Sequence, residues 1–271
     1  MSHNQLKKAA VISDLTGFGR CSLTVAIPIL AHMGIQCCPV PTAILSNHTE
    51  FEDYYFDDYT SHMEAYISKW KKLDLRFEGI TTGFLGSQGQ IQIVRNMIEN
   101  FRDKRTKVVI DPVMGDDGKL YGTYTAELCQ SMKQLVPYAD ILLPNVTEAC
   151  LLTDTPFFLS GHQDDYFQMA DCLHRMGAKK VVITGIDMDQ WIGNVVFEPG
   201  SKPRIIKKKR IGGTRSGTGD LFQAMITGET IQGHSLPEAV ERTAEFIVKC
   251  MAVTEELKIP DKDGVCFELL L

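Results

Sequence analysis

No run of about 18 apolar residues occurs anywhere in the 271-residue chain, which excludes a conventional membrane-spanning helix. Basic residues are in the minority: 28 Lys plus Arg against 34 Asp plus Glu leave a formal charge of −6. A nucleic-acid binder needs the opposite balance to neutralise phosphates, so that class is set aside. The apolar stretch Ala9–Ile12 after Lys7 and Lys8 is cut short at Asp14, so no secretory leader forms. The eight cysteines contain no C-x-x-C and no regular spacing, as expected of reduced thiols in a cytoplasmic protein rather than of a disulfide framework. The Walker pattern G-x-x-x-x-G-K-[ST] is missing, and so is the G-x-S-x-G elbow of triad hydrolases. Gly17-Phe18-Gly19-Arg20-Cys21-Ser22 reads G-x-G-x-x-S, an incomplete dinucleotide fingerprint. No carboxylate follows in Pro39–Leu45 to hold a ribose, which weakens a dehydrogenase reading.

What is present is alternation. Ala9–Ile12, Val108–Ile110, Ile141–Leu143 and Val181–Ile183 are apolar at consecutive positions, as strands buried on both faces are. Between them, Ile91, Val94, Met97, Ile98 and Phe101 fall at helical spacing, as do Tyr166, Met169, Ala170, Leu173 and Met176, with Gly177 as a stop. A further stripe runs from Leu236 to Met251, and Ser235 with Glu238 predicts the capping box that starts it. Strand and helix in turn imply an α/β fold with a mostly parallel central sheet between two helical layers. No linker, repeat or low-complexity tract divides the chain, which predicts one domain over residues 1–271.

Polar and breaker residues follow each strand: Ser13-Asp14, Asp111-Pro112, Pro144-Asn145 and Thr184-Gly185. In open parallel sheets that edge is where ligands bind. The strongest local signal is Gly217-Thr218-Gly219-Asp220 ahead of an apolar helix. Two glycines let a ligand approach the backbone, and the new helix offers unpaired N–H groups and its positive dipole end, a phosphate cradle. Asp220, just inside it, is placed to take a proton from a nucleophile. A plain Gly-rich turn is the competing reading of the tetrapeptide. Asp111, Asp116 and Asp117 after one strand and Glu148 after the next are oxygens that can hold Mg²⁺ against a nucleotide, although each Asp alone also suits a turn. His48 follows an apolar segment and lines a candidate pocket. Phe51–Tyr59 is an acidic-aromatic patch that suits a lid, a dimer contact or a solvated loop. Lys207-Lys208-Lys209-Arg210 reads as an exposed edge near the nucleotide.

Taken together these motifs resemble one family. Gly217-Thr218-Gly219-Asp220 matches the G-x-G-D signature of ribokinase-like kinases, and Asn145 with Glu148 resembles their N-x-x-E motif. Ser46-Asn47-His48-Thr49, Gly83-Phe84-Leu85-Gly86-Ser87, Asp111-Pro112-Val113-Met114-Gly115-Asp116 and Ser13 resemble the pyridoxal kinases within it. The resemblance implies a ribokinase-like three-layer α/β/α fold, usually a homodimer. It implies transfer of the ATP γ-phosphoryl group to the 5′-hydroxymethyl of a B6 vitamer (pyridoxal, pyridoxine or pyridoxamine), with Mg²⁺ and in some members a monovalent cation. By the same resemblance Asp220 is the base and Gly217 and Gly219 flank the amides that stabilise the moving phosphoryl group. Asp116 and Glu148 belong to the metal, and Asp111, Asn145, Thr184, Gly185 and Thr218 to the nucleotide. Ser13, Asn47, Thr49, Phe84 and Tyr121 belong to the vitamer. Asp14 departs from the family's usual Ser-His after the first strand. Hydroxymethylpyrimidine kinase of thiamine synthesis is the related alternative, and a non-catalytic vitamer or nucleotide sensor the alternative of another class.

Overall fold

A computed structural model describes residues 3–158 and 161–271. The first strand, β1 (Lys8–Phe18), contains the apolar run Ala9–Ile12, and its side chains divide by parity. Ala9 and Val11 enter one core while Ala10 and Ile12 enter another, because successive strand residues point to opposite faces. The same division recurs along the sheet. Val108 and Ile110 join the core of Ala10 and Ile12, whereas Val109 packs on the opposite face. Unbroken apolar runs therefore mean what they predicted: a sheet covered on both sides.

In chain order the remaining elements are α1 (Ser22–His32), β2 (Gln36–Asn47), β3 (Phe56–Asp58), α2 (Thr60–Lys72), β4 (Gly79–Thr82), α3 (Gln88–Phe101) and β5 (Lys107–Ile110). A two-stranded flap, β6 (Gly115–Asp116) and β7 (Lys119–Leu120), comes next, then α4 (Ala126–Met132), β8 (Ile141–Leu142), α5 (Val146–Thr153) and α6 (Gln163–Arg175). The last part holds β9 (Val181–Met188), β10 (Trp191–Phe197), β11 (Arg204–Lys209), α7 (Thr218–Gln232) and α8 (Leu236–Glu256). The nine-stranded sheet runs β11-β10-β9-β8-β5-β4-β1-β2-β3. Its centre, from β9 to β2, is parallel, and the antiparallel pairings lie at the two edges. Helices α1, α7 and α8 cover one face, and α2 to α6 the other.

Helix boundaries follow the local chemistry. Ser87 caps α3 by accepting the Gln90 N–H (3.2 Å), and Glu238 reaches back to the Ser235 N–H (3.1 Å) at the start of α8. Gly177, at φ +118, ends the α6 segment in a conformation that side chains resist. The basic run from Lys207 occupies the outer strand β11, with Lys208 paired to Glu241 of α8, so it is an edge surface as expected. Since the parallel strands all point one way, their carboxyl ends meet along one rim.

Candidate active site

That rim borders a cleft of about 520 Å³, a size suited to small-molecule ligands. The cradle stands on one side of it. Gly217 precedes α7 at φ +82, and the Leu221 N–H closes the first turn on the Gly217 carbonyl (2.9 Å). A methyl group on Gly217 would run into the Arg20 carbonyl oxygen, so both its conformation and its neighbour demand glycine. Thr218 anchors the turn by donating its hydroxyl to the Arg215 carbonyl (3.1 Å). Gly219 is exposed to the cleft, with Asp220 beside it half-buried.

Asp220 is held in an uncommon setting. Burial pushes its carboxyl up to about 6, the Ser22 N–H works against that rise, and the charge of Asp14 adds to it. Ser22 begins α1 with φ 52, a left-handed conformation rare for serine, which brings its amide to the Asp220 carboxylate. Two helices thus aim their N-termini at one point. Sequence reasoning missed Ser22, because a fragment of a broken dinucleotide motif gives no sign of the strained turn.

Across the rim, Asp111, directly after β5, is 9% exposed, and burial together with the Asp220 charge raises its carboxyl well above the usual range. Glu148 is 3% exposed and likewise raised, by burial first and by Asp111 second. Its carboxylate accepts the N–H groups of Asn145 (2.9 Å) and Met114 (3.0 Å), while Asn145 Oδ1 accepts the Glu148 N–H (2.9 Å). The N-x-x-E motif is therefore a capping box that starts α5. Asn145 also donates its amide to the Gly115 carbonyl at the flap (2.8 Å), so it ties the flap to the rim. An isolated parallel bridge sets Asn145 beside Thr184, bringing Thr184-Gly185 to the same corner. Asp116 lies on the flap, raised by burial. Ile211, Ala244, Ile247 and Met251 wall the adjoining end of the cleft with an apolar slot.

At the opposite end stand Leu45, His48, Thr49, Phe84 and Tyr121. Burial and the nearby Glu148 charge push the Tyr121 hydroxyl upward. Phe84 lies edge-on to Tyr124, with ring centres 5.8 Å apart. His48 Nε2 donates to the Lys262 carbonyl (2.6 Å), which fixes the tautomer and clips the substrate-end loop to the C-terminal segment. Phe157 also lines the cleft, a residue without sequence signal.

Two expected vitamer contacts do not face the cleft. Ser13 is 2% exposed and turned into the seam between β1 and β4, where its hydroxyl accepts the Phe84 N–H (3.2 Å). Asn47 donates its amide to the Asp53 carbonyl (2.9 Å), pinning the loop that leads to β3. Asp14 and Thr16, not Ser13, are the β1 residues that line the cleft. The pairing of β1 with β2 slips between Ser13↔Pro41 and Leu15↔Ile44, three positions on one strand against two on the other. That irregularity re-aims the strand end.

Residues 27–265 match the family model described as phosphomethylpyrimidine kinase. The chain belongs to that family. It is 30% identical over 266 residues to the pyridoxine/pyridoxal/pyridoxamine kinase of Bordetella avium, covering 91% of this chain and 86% of that one. The fold of a candidate phosphomethylpyrimidine kinase from Bacteroides thetaiotaomicron, in an orthorhombic form with pyridoxal, superposes with a TM-score of 0.95. Identity there is 37%, over 98% of this chain and 94% of that one. Pyridoxal kinase from Lactobacillus plantarum gives a TM-score of 0.91 at 28% identity, covering 98% and 95%. The resemblance to pyridoxal kinases of the ribokinase-like fold is borne out, and with it a kinase architecture of three α/β/α layers.

Proposed function

We propose that this member of the family is an ATP-dependent kinase that phosphorylates the 5′-hydroxymethyl group of pyridoxal, pyridoxine or pyridoxamine, feeding pyridoxal 5′-phosphate salvage. The observation that carries the reading is Asp220 at the cradle of α7, facing an aromatic-rimmed acceptor end on one side and the carboxylates of β5 and α5 on the other. An alcohol is a poor nucleophile at neutral pH. A carboxylate raised to about 6 is still ionised there and is a stronger base than an ordinary one. Asp220 accepts the hydroxymethyl proton while the free amides of Thr218 and Gly219 meet the charge that spreads over the transferring phosphoryl oxygens. Thr184, Gly185 and Asn145 hold the nucleotide at the β8–β9 corner, and Ile211, Ile247 and Met251 receive its base.

The donor set fits Mg²⁺ of one kind only. Among the described residues no group of three or more His, Cys, Asp or Glu forms a cage, and both Glu148 oxygens already accept amides. Asp116 and Glu148, with Asp111 nearby, suit an ion that keeps its waters and rides on the phosphates. When bound, it supplies charge neutralisation at the phosphates. Raised carboxyls packed beside one another are relieved by such a cation.

One unit, residues 1–271, carries the whole site, since the cleft draws on residues from β1 through α8. All eight cysteines are unpaired and burial raises several of the thiols, which suits a reducing cytoplasm. Leu15 and Ile44, adjacent in register and exposed, form the apolar face on which a homodimer is proposed. A second reading keeps a specific observation: the family model carries the pyrimidine name, and an Arabidopsis thaliana thiamine biosynthetic bifunctional enzyme is 27% identical over 242 residues, covering 86% of this chain and 44% of that one. An ATP-consumption assay with pyridoxal, pyridoxine, pyridoxamine and hydroxymethylpyrimidine offered in parallel decides. Turnover with the vitamers is expected. Turnover with the pyrimidine alone favours the second reading, and turnover with none favours a sensor.

A further inference from the structure

Asp14 is a buried cleft carboxylate to which the reaction gives no contact, although its charge helps to raise Asp220. It is 6% exposed, yet it lines the cleft. Its partners are hydroxyls only: Thr16 Oγ1 donates to Oδ2 (2.5 Å) and Ser13 Oγ to Oδ1 (3.4 Å). Among the described residues, no Lys, Arg or His nitrogen comes within ion-pair distance of it. A buried carboxylate without a counter-charge is costly to the fold, and such a group persists where a ligand supplies the missing charge.

Its place in the sheet says which ligand. The nucleotide corner is built from β8 and β9, on one side of β5, whereas Asp14 lies within β1, on the other side of β5 and next to β2, which leads into His48 and Thr49. Asp14, Cys21 and Asp220 line the same cleft, and the charges of both carboxylates reach the Cys21 thiol. An acceptor whose alcohol stands at Asp220 then has Asp14 within the same pocket for its neighbouring group. On every B6 vitamer the ring carbon next to the reacting hydroxymethyl carries the 4-substituent: an aldehyde, a hydroxymethyl or an aminomethyl. Only the aminomethyl is a cation at neutral pH, as primary aliphatic amines are. A charge-assisted hydrogen bond to a buried carboxylate is about twice as strong as a neutral one, and an aldehyde has no proton to donate at all.

We infer that Asp14 is a specificity-determining residue that reads the 4-substituent of the acceptor and selects pyridoxamine over pyridoxine, and pyridoxine over pyridoxal. The inference rests on the vitamer reading of the site and sharpens it to one class of acceptor, a hydroxymethyl heterocycle with an adjacent ammonium.

The test is kcat/KM of the full chain for the three vitamers at fixed ATP and Mg²⁺, in the wild type, Asp14→Asn and Asp14→Glu. The wild type is expected to follow the order given. Asp14→Asn is expected to lower the pyridoxamine-to-pyridoxine ratio at least tenfold, the change lying mainly in KM. Asp14→Glu keeps the charge and restores the order. Melting of Asp14→Asn without ligand is expected at or above the wild-type temperature, because an uncompensated buried charge has gone. A ratio within twofold of wild type in Asp14→Asn, or a tenfold wild-type preference for pyridoxal, overturns the assignment. If Asp14→Asn does not fold, Asp14→Ser replaces it with the same expected and overturning ratios. Absence of turnover with every vitamer in the wild type defeats the functional reading itself and the role of Asp14 with it, an outcome distinct from turnover without the predicted order.

Discussion

A carboxylate becomes a useful base when its surroundings make the proton harder to give up, and at Asp220 four influences can be separated. Burial raises the carboxyl, the Asp14 charge raises it further, and the amides of Ser22 and of Asp220 itself oppose both, leaving it at about 6. The base must be unprotonated to act, so activity is present above that value and is lost as pH falls through it. We expect kcat/KM for the preferred vitamer to rise about tenfold per pH unit below 6 and to level off above. Replacing Asp220 by Asn should lower kcat by about 10²–10⁴ while vitamer binding, measured by titration without nucleotide, stays within about threefold. Undiminished turnover in that variant would falsify the assignment of the base. A limb near pH 4 in the wild type would instead point to a solvated carboxyl that the fold does not perturb.

At the scale of elements, α7 and the α1 turn form one device. The C-terminal segment braces it: Arg20 binds Glu268 (2.7 Å) and donates to the Asp263 carbonyl (3.0 Å), and its own carbonyl fills the space that a Gly217 side chain would need. Gly217→Ala therefore meets a forbidden backbone angle and an immovable oxygen together. Its expected effect is a kcat at least about 10² lower, as for loss of an oxyanion donor, and a destabilisation of about 1–3 kcal/mol seen as a lower melting temperature. Wild-type kinetics in Gly217→Ala would show that the cradle tolerates a shifted turn. Much of this device was legible in the sequence, because helix starts, glycine turns and strand ends are local signals. Gly217-Thr218-Gly219-Asp220 needed only its neighbours in the chain to be read as a cradle. Two of the expected residues lie off the cleft, one for a long-range reason. Ser13 turns into the seam where the β1–β2 pairing slips, which only the distant strand sets, while Asn47 is held by a bond to Asp53 within its own loop. Asn145 and Glu148 were recognised as a pair, but their reciprocal bonds make them a helix cap as well as a rim of the site.

The whole molecule leaves one face unfinished. Beyond the helices that cover the sheet, the second halves of β1 and β2 run on toward the edge strand β3, which has only three residues. Leu15 and Ile44 stand side by side there in register, each more than a third exposed. Phe18, Tyr55 and Phe56 add exposed rings nearby, which gives the acidic-aromatic segment a surface role. Contiguous apolar exposure of this kind, next to an unpaired strand edge, marks a protein–protein surface in folded proteins. It also lies close to the acceptor end, because His48 and Thr49 follow β2 directly. Pairing two copies through this face would buttress the loop that carries them. We expect sedimentation of the purified protein at micromolar concentration to give about twice the 30.3 kDa chain mass, the size of the cyclic dimers that dominate soluble oligomers. Ile44→Glu, which places a charge at the centre of the face, should return a folded monomer whose KM for the vitamer rises while its KM for ATP holds, since the nucleotide corner at β8 and β9 lies across the sheet. A wild type that sediments as a monomer removes this surface from consideration, and a dimer that survives Ile44→Glu moves the interface elsewhere on the molecule.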